Sequence, residues 1–324
     1  MTKRIRGVLA PALTPFKADL SPDRQRFIAH CKWLLSQHCG LAVFGTNSEA
    51  NSLAADERLM LLDALVAAGV DPSRMMPGTG CCSIAETVKL TAQAVKHGCA
   101  GVLMLPPFYY KGVSEEGLYR YFSEVVQRVG DARLKIYLYH IPPVAMVGIT
   151  TGLVERLLAA YPDAIAGMKD SSGDWNNTRI FLDAFAKSGF DVFVGSESFL
   201  LAGLRNGGVG TISATANVNP AAIHKLYTEW VRSSPQRVGD RTGGDSAVSA
   251  DLEDQQVRLN VVRDVFGKKY PMISALKQGL AIYAKDPAWA KVRPPLVELT
   301  AEQARTLAAE LEAISFTMPG IFEN

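Results

Sequence analysis

The chain has 324 residues, 34 Lys and Arg against 32 Asp and Glu for a formal net charge of +2, and 48% hydrophobic residues. This globular composition excludes the broad basic footprint that a nucleic-acid backbone demands, and the length suffices for one large α/β domain. Five cysteines, Cys31, Cys39, Cys81, Cys82 and Cys99, are odd in number and lack CxxC spacing, which reads as buried thiols in a reducing, cytoplasmic setting.

At the start, MTKRIRGVLAPALTPF is basic, but Pro11, Pro15 and Lys17 interrupt any apolar signal-peptide region. Short apolar runs then recur: GVLAPAL from Gly7, LAVFGT from Leu41, RMMPGTG from Arg74, GVLMLPP from Gly101, KIYLYHIP from Lys135, AIAGMKD from Ala164, DVFVGS from Asp191 and GVGTISA from Gly208. Continuous apolar runs indicate strands buried on both faces, as in a parallel sheet covered by helices. Stretches with helical spacing lie between them, at Ser52–Ala68, Ser83–His97, Ser114–Val129, Thr151–Ala160, Asn176–Lys187 and Glu197–Asn206. Eight such units predict an α/β fold, a (β/α)8 barrel of the TIM type over residues 1–220. The competing open doubly wound sheet lacks its GxGxxG turn after the first strand.

Beyond Pro220 the pattern turns helical, at Ala221–Val231, Leu252–Val265, Met272–Ala284 and Thr300–Ile314, giving a C-terminal helical extension over residues 221–324. Thr300 and Gln303 have capping-box spacing, and the polar Ser233–Ala250 stretch reads as a mobile loop. The long uncharged stretch Gly207–His224 is too rich in Gly, Thr, Asn and Pro for a membrane span.

In a barrel of this kind the reacting groups sit where strands finish, so polar residues ending apolar runs come first. Lys169 closes AIAGMK, where an amine partly withdrawn from water suits nucleophilic attack on a carbonyl; the bland alternative is an ion pair with Asp170. Tyr139 ends the neighbouring run and is placed to shuttle a proton, or simply to cap the core. Thr46, Asn47 and Ser48 follow Gly45 in a turn whose N–H groups could cradle a carboxylate, with an ordinary polar turn as the equal alternative. The histidines His30, His38, His97, His140 and His224 form no metal-binding pattern, and neither metal nor cofactor is expected. The glycines of NGGVGTIS raise a competing idea, a barrel that binds a phosphorylated ligand.

Taken together, GVLAPALTPF, GTNSEANSLAADER, PPFYYKGVSEEGL, YLYHIPP, GMKDSSGD, GVGTISATANVNP and VRPPLVELT resemble, nearly end to end, the dihydrodipicolinate synthase and N-acetylneuraminate lyase family. The resemblance implies a metal-independent class I lyase acting through a pyruvate-type Schiff base, usually as a homotetramer. By motif it makes Lys169 the Schiff-base lysine, Tyr139 the proton-relay tyrosine and Thr46 the hydroxyl of that relay. It also gives the Thr46 and Asn47 backbone the pyruvate carboxylate, and turns the Ile212 carbonyl to the pocket. Tyr109 matches the tyrosine that reaches into a neighbouring subunit's site.

Departures from the family pattern bear on the substrate. Asn47 and Ser48 replace the last Thr and the Gly of the synthases' GTTGE turn, His140 replaces an Asn and is expected to alter the pocket, and Val144 stands where synthases carry an arginine for the incoming carboxylate. A branched aliphatic side chain makes no bidentate carboxylate contact, which counts against lysine-pathway synthase activity. The expectation is a carbon–carbon lyase acting on pyruvate or another 2-oxo acid. Open alternatives are 4-hydroxy-tetrahydrodipicolinate synthase proper, a 2-keto-3-deoxy sugar-acid dehydratase or deaminase, and a non-catalytic barrel binding a small carboxylate or phosphate.

Overall fold

Residues 4–233 and 246–322 are described, in a computed structural model. Short buried strands alternate with longer helices from the start of the chain: β1 (Gly7–Ala10), α1 (Arg24–Ser36), β2 (Gly40–Leu41), α2 (Ala55–Ala67), α3 (Ile84–His97), β3 (Val102–Met104), α4 (Glu115–Val129) and β4 (Ile136–His140). The rhythm continues with α5 (Pro142–Ala145), α6 (Thr151–Ala160), β5 (Ile165–Asp170), α7 (Trp175–Phe185), β6 (Asp191–Val194), α8 (Leu200–Arg205) and β7 (Gly210–Ile212). Among the described residues the chain then runs through α9 (Pro220–Ser233), α10 (Ser246–Gly267), α11 (Met272–Tyr283) and α12 (Ala301–Ala313). No helix among the described residues is long and apolar enough to cross a membrane.

Every strand pairing is parallel, in the order β2-β1-β7-β6-β5-β4-β3. Seven of the eight expected runs are strands; the third, around Met75–Thr79, makes isolated bridges instead. Its ladder is interrupted because Pro77 has no N–H to give. Even so, Met76 N donates to Leu41 O (2.7 Å) and Leu103 N to Pro77 O (2.8 Å), so this segment touches β2 on one side and β3 on the other. Leu9, Met76, Leu103, Tyr137, Phe193 and Ile212 share one apolar cluster, while a larger cluster fills the space between sheet and helices.

β5 carries a bulge. Ile136 pairs with Ile165 but Tyr137 pairs with Gly167, which leaves Ala166 as an extra residue. Arg4 Nη1 donates to the bulged Ala166 carbonyl (2.8 Å) and lies 3.4 Å from the buried Asp191 carboxylate, which also accepts from Tyr137 Oη (3.3 Å). Burial raises the Asp191 carboxyl above its ordinary range, with Arg4 and Arg6 opposing.

Several local expectations are met and some are corrected. Thr300 and Gln303 cap α12 reciprocally, side chain to backbone in both directions. The stretch read as one helix over Glu197–Asn206 opens with a separate tight turn, and α1 and α5 were not anticipated. Of the expected loop Ser233–Ala250, residues from Ser246 onward belong to α10 and residues 234–245 lie outside the described residues. Cys31, Cys39 and Cys81 are buried and Cys82 is exposed; burial pushes the Cys39 and Cys99 thiols up to about 12.

Candidate active site

The parallel register of β4 and β5 sets Tyr139 opposite Lys169, and both residues are only 2% exposed. Lys169 Nζ donates to Tyr139 Oη at 3.1 Å and lies 4.2 Å from the centre of the phenol ring. Tyr139 Oη and Thr46 Oγ1 share a second hydrogen bond of 3.1 Å. An amine, a phenol and an alcohol therefore form one continuous chain through which a proton can move.

Asp170, the suggested ion-pair partner of Lys169, faces the other way because successive strand residues alternate. Its carboxylate accepts from Ser172 N and Asn177 Nδ2 (3.1 Å each) and from the Thr178 hydroxyl. His140 shares that outer face and so does not alter the pocket as expected. Its Nδ1 accepts the Ile149 N–H (2.9 Å), its ring packs on Phe181, and burial lowers its pKa against the pull of Asp170. Alternation itself carried the missed signal, since Tyr139 and His140 cannot both point to one side of a strand.

Thr46 belongs to a tight turn flanked by Phe44 and Glu49, both with left-handed backbone (φ 62° and 56°). Ser48 N donates to Gly45 O, Glu49 N donates to Thr46 O, and Thr14 Oγ1 donates to Ser48 O. The N–H groups of Thr46 and Asn47 find no acceptor among the described residues, which leaves two adjacent donors for an anion. Thr46 and Tyr139 border a narrow pocket of about 10 Å³ also lined by Gly45, Asn51, Gly78 and Gly80. A Cβ on Gly78 would fall 2.1 Å from Phe44 O, so this close backbone approach requires glycine. Ile212 ends β7 and is buried in the same apolar cluster as Tyr139.

Other expected residues are not gathered here within one chain. Tyr109 is 73% exposed, edge-on to Tyr110, and Val144 on α5 is 62% exposed. Lys111 Nζ ties their two loops together by donating to Ala145 O (2.9 Å). The glycines of NGGVGTIS do not reach a ligand site at a strand end: Gly207 and Gly208 precede β7, at its N-terminal end, where a Cβ on Gly208 would meet Gly203 O at 2.9 Å.

The description of the dihydrodipicolinate synthetase family matches residues 4–314. The chain belongs to this family. An uncharacterized DapA-like lyase of Chloroflexus aurantiacus is 31% identical over 95% of this chain and 97% of its own. Dihydrodipicolinate synthase from Agrobacterium tumefaciens superposes with a TM-score of 0.82 at 31% identity, over 96% of this chain and 99% of that one. YagE, a prophage protein of the dihydrodipicolinic acid synthase family from E. coli K12 solved with pyruvate, gives 0.83 at 25% identity, over 96% and 99%. Membership makes the chain a class I aldolase, a carbon–carbon lyase. Sequence reasoning overlooked Glu49 and Lys277, which stand behind the Thr46 turn; a lone lysine in the apolar run MISALKQGLAIY was the available signal.

Proposed function

We propose that Lys169 forms the Schiff base, with pyruvate or a related 2-oxo acid, and that Tyr139 and Thr46 carry the protons. The supporting observation is the unbroken Lys169 Nζ–Tyr139 Oη–Thr46 Oγ1 chain, each link 3.1 Å. The amine attacks the C2 carbonyl, Tyr139 protonates the departing oxygen as water leaves, and the resulting iminium accepts the electron pair released at C3. The Thr46 and Asn47 N–H groups take the substrate carboxylate, and the Ile212 carbonyl faces the pocket. A structural relative's complex with pyruvate supports the choice of substrate.

The same reading includes a closed eight-unit TIM barrel, residues 1–220, with the 221–324 helical extension. Its support is the Met75–Thr79 segment hydrogen-bonded to both end strands of the sheet. A cytoplasmic homotetramer is part of the reading, in which Tyr109 enters a neighbouring subunit's site. The exposure of Tyr109 agrees with that role. Val144 in place of a carboxylate-binding cation favours aldol cleavage or condensation with an acceptor lacking that carboxylate. The synthase reaction proper is the second reading, favoured by the overall likeness to synthases.

The test is to incubate the protein with pyruvate, reduce with borohydride and map the adduct by mass. An adduct on Lys169, absent from a folded Lys169→Ala variant, is the expected result. Reversible pyruvate binding with no adduct would favour the non-catalytic binding barrel.

A further inference from the structure

Two charged side chains that the chemistry above does not use are buried against the active-site turn. Lys277 is 0% exposed on α11, within the C-terminal helices, and its ammonium pairs with the Glu49 carboxylate. It also donates to Lys291 O at 2.8 Å and lies 4.3 Å from the centre of the Phe16 ring. The second Glu49 oxygen accepts the Arg293 N–H at 3.0 Å. Arg293 in turn clasps Glu57 at the start of α2 with two guanidinium nitrogens and donates to Ser52 O (2.6 Å). The stretch from Glu49 to Glu57 is thus gripped at both ends by the C-terminal part of the chain.

A buried ion pair is a weak source of stability, because desolvation offsets the attraction and a well-packed apolar pair commonly does as well. What such a pair supplies is geometry. Glu49 has the left-handed backbone that ends the turn, and its N–H closes the turn on the Thr46 carbonyl at 3.1 Å. With its carboxylate fixed from α11, the turn that carries the Thr46 and Asn47 N–H groups is held from behind. We infer that Lys277 and Glu49 are positioning residues for substrate carboxylate binding, acting through the Thr46–Asn47 turn and touching no substrate themselves. Burial draws the Lys277 ammonium down to about 8 while Glu49 holds it up, in keeping with a pair retained despite its desolvation.

This inference rests on the role assigned above to the Thr46–Asn47 turn. The decisive variant is Lys277→Met with Glu49→Gln, which removes both charges together and preserves side-chain size. The pyruvate concentration for half-maximal borohydride trapping is expected to rise roughly tenfold, with the trapping rate at saturation within about threefold of the parent. Glu49→Asp, which keeps the pair but shortens the link to the turn, is expected to raise the same concentration. A folded double variant with unchanged half-saturation would overturn the inference. If the double variant does not fold, an unchanged value for Glu49→Asp would do so. A parent that binds pyruvate by calorimetry without trapping would instead defeat the Lys169 assignment, and the calorimetric affinities of the same variants would still decide the role of the pair.

Discussion

Tyr139 Oη stands 3.1 Å from both the Lys169 amine and the Thr46 alcohol, so one phenol serves two partners. Tyr139→Phe keeps the packing of a buried ring and removes only that link. General acid–base groups contribute about 10²–10⁴ in rate, and a loss in that range is expected for pyruvate imine formation followed by rapid-quench borohydride trapping. A rate within a few-fold of the parent would remove Tyr139 from the proton path. Lys169, Tyr139 and Thr46 stand out in the sequence as candidates because each lies at the end of an apolar run, and it is the resemblance of the surrounding motifs to the family that singles the three out together. Glu49 and Lys277 were not, because their pairing joins α11 to a turn near the other end of the chain and no local pattern records it.

At the scale of elements, β5 presents Lys169 inward only because of its bulge. Without Ala166 as the extra residue, two-residue alternation would assign Lys169 and Tyr139 to opposite faces. Gly167 sits at this irregularity, and a Cβ there would fall 2.1 Å from Asp191 O, a backbone atom of the neighbouring strand. Gly167→Ala is expected to cost about 1–3 kcal/mol, the range for overpacking, and to slow imine formation by displacing Lys169 from Tyr139. Urea unfolding read beside pyruvate trapping checks both parts; full trapping in a destabilised variant would show that the bulge does not control Lys169. The order of strands and helices was readable from periodicity, whereas the bulge was not, since AIAGMKD is one apolar run with or without it. The third run fell short of a strand for a reason visible in the sequence, the proline inside RMMPGTG.

Across the whole molecule, His30 joins parts of the chain that are far apart in sequence, and this makes the fold sensitive to acid. It is fully buried on α1, stacked near Trp33 and edge-on to Trp289, with Nε2 2.9 Å from Asn217 Oδ1. That oxygen also accepts the Leu13 N–H, so His30 Nε2 is the donor and its Nδ1, buried without a partner among the described residues, is the site a proton would have to take. Burial lowers its pKa from 6.5 to about 4, with the Asn217 hydrogen bond opposing. The unfolded chain therefore binds this proton first: the stabilisation is complete above pH 6.5 and is lost as pH falls from there through 4. Linkage puts the loss at about 2 kcal/mol by pH 5 for this group alone. His140 and His224 are lowered in the same direction by burial and add to the slope, so a comparison with His30→Gln isolates the contribution of His30. Gln keeps a donor for Asn217 but does not titrate. Unfolding free energies at pH 7.5 and pH 5 are expected to differ by about 2 kcal/mol more in the parent than in the variant. Equal pH dependence in the two proteins would mean that His30 is protonated in the folded state, and that the ring cage around it opens well before the chain unfolds.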